Sequence, residues 1–370
     1  MGCWGLKKVL ISGYYGFDNL GDEAVLLSII KTLRSLDKSL EITVLSARPD
    51  VTAARYGVKA INRTDFLAVL RSIFRCDMLI SGGGSLFQDI TSRTSLFYYL
   101  SVVFLGILLR KKVMVYGQGM GPLIDNMDKK ITSFVLRRVD MITLRDSSSL
   151  GLLNELGVKR NVHVTADPVF TLAPSPDARI REILDAEGIH GNYILIAPRS
   201  WYDNELFRIE MAKAADEIYL KTGVGVVYCP FHEDDMEECR SIAGFMKCPY
   251  HILSKVYSPE DMIGIVSFSD MVIGVRLHSL IFGALAGRAI AGISYDPKIN
   301  GFLKDIGVEP VGTMKTVTAE QIVRYVESIW DGRERMGREI KARVEILKQK
   351  AYENGELALS LINGGRYGKS

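Results

Sequence analysis

Nowhere in the 370 residues do two cysteines stand in CxxC spacing. The five present, Cys3, Cys76, Cys229, Cys239 and Cys248, are odd in number and scattered. That pattern argues against a disulfide framework or a zinc site and fits a reducing cytoplasm. An excess of one charge is also lacking. Forty-six Lys and Arg against 43 Asp and Glu leave +3, which makes no electrostatic case for a nucleic-acid partner. No strand is followed by GxGxxG, and the first glycine-rich loop is not a Walker loop, so dehydrogenase and P-loop functions are without their fingerprints. The longest apolar stretch, 96–109, falls short of the roughly 20 residues needed to span a bilayer. No signal-peptide pattern precedes the first strand, since Lys7 and Lys8 run directly into it.

What the chain has instead is alternation. Short apolar runs follow one another with helical patterns between them, the signature of parallel βαβ units. Strands are expected at 8–12, 41–45, 77–81, 112–116, 140–144 and 162–165, with helices at 21–36, 65–75, 95–110, 128–138 and 147–156. The pattern stops at Leu172-Ala173-Pro174-Ser175-Pro176-Asp177, where two close prolines continue neither a helix nor a central strand. It restarts with strands at 193–197, 224–229, 251–253, 270–274 and 289–293, and helices at 205–221, 234–247, 259–267 and 279–286. Two terminal helices follow at 319–330 and 333–362. The length exceeds one ordinary core. The expectation is an α/β protein of two Rossmann-like domains facing a cleft, similar to two-domain glycosyltransferases. The domains are 1–172 and 179–315, with a linker at 173–178 and bracing helices at 316–370.

Chemistry-bearing residues collect where the strands end, which is where open α/β sheets take ligands. The tightest cluster is Arg276-Leu277-His278-Ser279, followed by Tyr295-Asp296-Pro297-Lys298 after the next apolar run. An Arg, a His and a Lys converging on one crevice suit an anionic substrate that needs a proton moved. His278 reads as a proton donor or base, or else as a buried histidine bonded to a carbonyl. Lys298 reads as an anion ligand, or as a surface lysine paired with Asp296. Arg199 brings a further cation to a strand end. Arg145 does the same in the first half, with an ion pair to Asp146 or Asp167 as the alternative.

In the first half, Asp18, Asn19 and Asp22 lie near a helix start. They offer acceptors for sugar hydroxyls on one reading, while Asp22 caps the helix on the other. The segments 82–89 and 117–122 read as glycine-rich loops with open backbone along one rim, with Gly83, Gly84, Gln88 and Gln118 as candidate contacts. His232 stands beside Glu233, Asp234 and Asp235 without a second ligand at diagnostic spacing, so a solvated helix start is expected there. The run 96–109 fits a buried helix by its length. Flanked by Arg93 and by Arg110, Lys111 and Lys112, it also fits a helix that touches a membrane surface.

Seven segments in order carry a resemblance. GFDNLGD at 16–22, GGGSLFQD at 82–89, GQGMGP at 117–122, Arg145-Asp146, Asp167-Pro168, RLHS at 276–279 and YDPK at 295–298 resemble the bacterial polysaccharide pyruvyl transferases. They are most similar to members acting on lipid-linked precursors of secondary cell-wall polymers, which anchor S-layers. The resemblance implies transfer of a pyruvyl group from phosphoenolpyruvate to two hydroxyls of one sugar, releasing phosphate and leaving a cyclic ketal. It implies a 4,6-ketal on a β-linked N-acetylmannosamine and a lipid-diphosphate-linked oligosaccharide as acceptor. Arg145, His278 and Lys298 are the functional positions it implies, with Arg276 and Ser279 beside them on the donor side. The first domain then takes the acceptor. No cofactor and no metal are expected, and the place of work is the cytoplasm, at the inner face of the membrane. A nucleotide-sugar-dependent glycosyltransferase and a non-catalytic sugar- or anion-binding protein are the alternatives.

Overall fold

The computed structural model describes residues 6–200 and 204–365, so Cys3 lies outside the described residues. The chain divides into two compact units. Unit 1 holds the chain up to Asp18, then Asp22–Thr171 and the chain from Leu347; unit 2 holds Asn19–Gly21 and Leu172–Ile346.

The first part of the chain runs β1 (Lys8–Ser12), α1 (Leu20–Leu36), β2 (Glu41–Ser46), α2 (Pro49–Tyr56), β3 (Lys59–Asn62), α3 (Phe66–Arg75) and β4 (Met78–Ser81). It continues through β5 (Gly84–Phe87), α4 (Arg93–Leu108), β6 (Lys112–Met120), α5 (Asn126–Leu136), β7 (Met141–Leu144), α6 (Ser147–Glu155) and β8 (Val162–Val164). These strands form a parallel sheet in the order β3-β2-β1-β4-β6-β7-β8, with β5 alongside β6. Val9, Leu10 and Ile11 are buried, as continuous apolar strands covered on both faces should be. Side chains of α3, α4, α5 and α6, such as Val69, Leu100, Val135 and Leu153, close over one face of the sheet. Acidic and hydroxyl caps start these helices. Asp65 accepts the Ala68 N–H at 3.0 Å, Ser92 the Ser95 N–H at 3.2 Å and Asp146 the Ser149 N–H at 2.8 Å.

Unit 2 runs α7 (Asp177–Glu187), β9 (Tyr193–Ala197), α8 (Glu205–Thr222), β10 (Gly225–Tyr228), α9 (Glu233–Ala243), β11 (His251–Ile252) and α10 (Pro259–Ser267). It ends with β12 (Met271–Gly274), α11 (Leu277–Leu285), β13 (Ala289–Ser294), α12 (Pro297–Asp305), β14 (Gly312–Thr313) and α13 (Ala319–Trp330). Its parallel sheet has the order β11-β10-β9-β12-β13-β14. The last helix, α14 (Arg333–Ile362), begins in unit 2 and ends in unit 1. There the buried Asn354 donates to the Ala166 carbonyl at 3.2 Å and accepts from the Thr165 hydroxyl at 2.8 Å.

Both sheets grow outward in two directions from one strand. In unit 1 the chain steps from β1 to β2 and β3, then returns to β4, so the order reverses between β1 and β4. In unit 2 it reverses between β9 and β12. Parallel α/β sheets open a crevice at the carboxyl ends of such a pair, because the helices that follow turn to opposite faces.

The structure departs from the sequence expectations in several places. β5 pairs with β6, Gly84 opposite Gln118 and Phe87 opposite Met120, so segments read as open loops are paired strand. β3, α2, α7 and α12 went unread because each is short or weakly patterned. α7 starts at Asp177, inside the expected linker, where Pro176 precedes the helix. α13 is no separate brace, since Ile322, Val323 and Val326 join the core of unit 2 with Met211 and Ala215 of α8. No helix among the described residues is long and apolar enough to cross a membrane.

Candidate functional site

Unit 2 gathers charge around its reversal point. Arg199 follows β9, Arg276 and His278 follow β12, and Tyr295 and Lys298 follow β13, three strands adjacent in the sheet. The register places them side by side: Gly274, the last residue of β12, stands opposite Ala197, the last of β9, and opposite Gly292, two residues before the end of β13. His278 and Lys298 each lie in the first turn of a helix, α11 and α12. Asp296 caps α12 by accepting the Lys298 N–H at 3.0 Å, whereas Arg276, at the same position before α11, makes no side-chain cap. Exposed N–H groups at helix starts add partial positive charge to that of the side chains.

Partners fix these cations. The Arg276 Nη2 donates to Asp235 Oδ1 at 2.6 Å, and its Nε lies 2.5 Å from Oδ2. Asp235 is fully buried and also accepts the Phe231 N–H at 3.2 Å. Arg199 donates to the Tyr295 hydroxyl and lies 4.4 Å over that ring; Lys298 approaches the same ring at 5.8 Å and Asp296 Oδ2 at 3.3 Å. Burial, helped by the nearby charge of Arg276, lowers the Arg199 pKa against the pull of Tyr295. Three cations thus face two carboxylates. A cavity of about 300 Å³ opens beside them, lined by Asn204, Ser294, Tyr295, Asp296, Asn300 and Met314, a volume at the small end of ligand pockets.

Two residues of unit 2 behave unlike their expectations. Ser279 is fully buried and its hydroxyl donates to the Arg276 carbonyl at 2.6 Å, so it braces the turn and presents no hydroxyl to a ligand. Asp235, expected on a solvated helix start, sits with Cys239 and Ile242 on the inward face of α9. Its i, i+4, i+7 relation to those apolar residues was the signal that could have found it. His232 does cap that helix, accepting the Asp234 N–H at 3.2 Å. Gly21, grouped with this unit, leaves no room for a side chain: a Cβ there would meet His278 Nδ1 at 2.1 Å.

Unit 1 presents different chemistry at its own reversal point. Asp18 has left-handed backbone and pairs with Arg48, so its carboxylate is committed. Asn19, grouped with unit 2, accepts the Gly21 N–H at 3.2 Å, which makes it, and not Asp22, the cap of α1. Asp22 turns instead toward Gly84, where a Cβ would come within 2.9 Å of its Oδ1 and φ is +106°. Gly83 is as tightly held, with a Cβ meeting the Gly117 carbonyl at 3.0 Å. These glycines permit close packing; they are not open backbone. Gln118 is fully buried and donates to the Gly119 carbonyl at 3.2 Å, while Gln88 bonds Thr91 at 2.8 Å. Arg145 is almost wholly enclosed, 3.0 Å from Asp167 and donating to Ser85 at 3.1 Å.

The sequence reading overlooked Tyr15. Its hydroxyl lies where a Cβ on Gly82 would come within 1.9 Å, and its ring stands against Gly13. Burial first, then the charge of Asp22, raises its pKa well above the usual value, so the phenol stays protonated.

A model of the polysaccharide pyruvyl transferases matches residues 19–297. The amylovoran biosynthesis protein AmsJ of Erwinia amylovora is 22% identical over 409 residues, spanning 91% of this chain and 95% of its own. Among solved structures, that of S. aureus MnaA with UDP superposes with a TM-score of 0.70 at 12% identity, over 98% of this chain and 99% of that one. UDP-N-acetylglucosamine 2-epimerase from Neisseria meningitidis, bound to UDP-GlcNAc, does so with a TM-score of 0.66 at 12% identity, over 97% and 100%. Identities this low speak for the fold alone, two Rossmann-like domains of the kind found in two-domain glycosyltransferases and epimerases.

Proposed function

The chain belongs to the polysaccharide pyruvyl transferase family and is a transferase enzyme, and from that premise we propose that its donor is phosphoenolpyruvate and that unit 2 holds it. The observation that carries this is the set Arg199, Arg276, His278 and Lys298 on three adjacent strand ends. Phosphoenolpyruvate carries a carboxylate and a phosphate, and arginine contacts either group through two N–H donors. Lysine adds a point charge.

The reaction needs one proton placed and two removed. Protonation of C3 of the enol builds positive charge at C2, and one sugar hydroxyl adds there while losing its proton. The C2–O bond to phosphate then breaks, phosphate leaves with the bonding pair, and the second hydroxyl closes the ketal. His278, in the first turn of α11 two residues after Arg276, serves as the group that gives or takes a proton near neutral pH. Arg145 enters the proposal on the family resemblance alone.

We propose a lipid-diphosphate-linked oligosaccharide as acceptor, with the ketal on O4 and O6 of a β-linked N-acetylmannosamine. A relative named for polysaccharide biosynthesis supports a polysaccharide precursor in general, and the sequence motifs support the cell-wall precursor in particular. The test mixes the purified protein with phosphoenolpyruvate and the synthetic lipid-linked disaccharide and follows phosphate and product mass. Acceptor-dependent phosphate with a pyruvyl gain in mass is expected. Thermal stabilisation by a uridine nucleotide, with none by phosphoenolpyruvate, would overturn the donor assignment.

A further inference from the structure

We propose that the outer face of α3, α4 and α5 is a docking surface for an anionic lipid bilayer. The inference goes beyond the proposed reaction and does not depend on it.

These three helices lie side by side on one face of the unit 1 sheet. α3 buries Val69 and Ile73 inward. Its opposite stripe, at i, i+4, i+7 and i+8, is Leu67, Arg71, Phe74 and Arg75, with Leu67 and Phe74 69% and 65% exposed. α4 buries Leu96, Leu100 and Val103 and shows Phe104 and Leu108 to the outside. α5 buries Val135 and Leu136 and shows Met127 and Phe134. An outward face this apolar is not required for packing, since the core beneath is already closed.

The exposed side chains form one patch. Phe104 and Phe134 stand 6.0 Å apart between ring centres, which joins α4 to α5. Lys111, just past α4, lies 5.5 Å over the Phe74 ring and donates to the Phe74 carbonyl at 2.6 Å, which joins α4 to α3. Between and around these rings are cations. A cavity of about 700 Å³ beside Phe134 is lined by Lys129, Lys130, Arg137 and Arg138 with a single acid, Glu155. The acid within α5, Asp128, is buried and already held by Arg93 at 2.7 Å. In a chain of net charge +3, so local an excess of cations is not an average property.

Helix dipoles explain part of this, because lysine and arginine suit helix carboxyl ends. They do not explain Leu67, Leu108 and Met127. A second copy of the chain fits poorly, since a self-complementary contact would set this basic patch against its own image. An anionic bilayer satisfies both features at once: apolar side chains enter the interface, cations meet lipid phosphates, and no helix crosses.

Flotation with vesicles containing about 30% phosphatidylglycerol, against pure phosphatidylcholine, tests this. The protein should float with the first, not the second, and less so in about 0.5 M salt. Leu67→Glu with Leu108→Glu, and separately Lys130→Glu with Arg138→Glu, should each weaken binding tenfold or more, while Leu220→Glu, an equally exposed leucine of unit 2, should not. The two pairs are independent, so a folding defect in one leaves the other to decide. Absence of flotation, equal binding by all variants, or a dimer that the leucine pair dissolves would each overturn the proposal. The vesicles carry no sugar, so any of these results leaves the reaction untouched.

Discussion

Each sheet has its own reversal point and each unit holds a buried arginine–aspartate pair, yet their carboxyl edges differ in kind. Unit 2 ends its central strands in Arg199, Arg276 and Lys298, answered by Asp235 and Asp296. Unit 1 ends its own in Gly82, Gly83 and Gly84, packed against the Tyr15 hydroxyl and Asp22. One edge is rich in cations, which on the proposed function hold negative charge; the other is made of hydroxyl, carboxylate and close-packed backbone, a chemistry suited to uncharged polar ligands. The same topology therefore carries two chemistries, and residues at the strand ends decide between them.

Removing His278 should produce the largest asymmetry between the edges. His278→Ala is expected to lower turnover on the order of 10²–10⁴-fold with a smaller effect on the melting temperature, because His278 lies in the first turn of α11 and not in the apolar core. Steady-state kinetics beside thermal unfolding checks this. Parallel losses of activity and melting temperature would mean that the ring supports the fold and not the reaction.

The two buried ion pairs sharpen the contrast next. Arg276→Ala strands the fully buried Asp235, which Arg276 approaches through two nitrogens. Leaving such a charge without its partner costs about 3–5 kcal/mol. Arg145→Ala strands Asp167, likewise buried and 3.0 Å from Arg145 while accepting the Val169 N–H at 3.1 Å, so a loss is expected there too. Chemical denaturation of both variants ranks them. An undiminished stability in either variant would mean that its pair does not support the fold.

How much of this the sequence disclosed depends on range. Strands such as 193–197 and 289–293 were legible because a buried parallel strand must be apolar on both faces. The adjacency of the two strands that precede Arg276 and Lys298 was legible too, since consecutive strands of a βαβ unit fall side by side. The partners were not. Asp235 reaches Arg276 from 41 residues away, and no local spacing encodes that approach. The glycines at 82–84 and 117–119 misled for a related reason. Glycine marks a turn or a close approach equally well, and only the pairing of β5 with β6 shows the second.

The mildest change concerns the hydroxyl that the sequence hid. Tyr15 is fully buried, and among the described residues its oxygen has no hydrogen-bond partner. A buried hydroxyl without a partner costs about 1–3 kcal/mol, so nothing in the fold of unit 1 asks for it. Tyr15→Phe, which keeps the ring against Gly13 and removes the unpartnered hydroxyl, should leave the melting temperature unchanged or raise it slightly. Thermal unfolding gives the first answer and the acceptor KM the second. A raised KM with undiminished stability would assign the hydroxyl to the sugar and place the acceptor at this edge. A lowered melting temperature would instead make the phenol a structural group and weaken the contrast between the two edges.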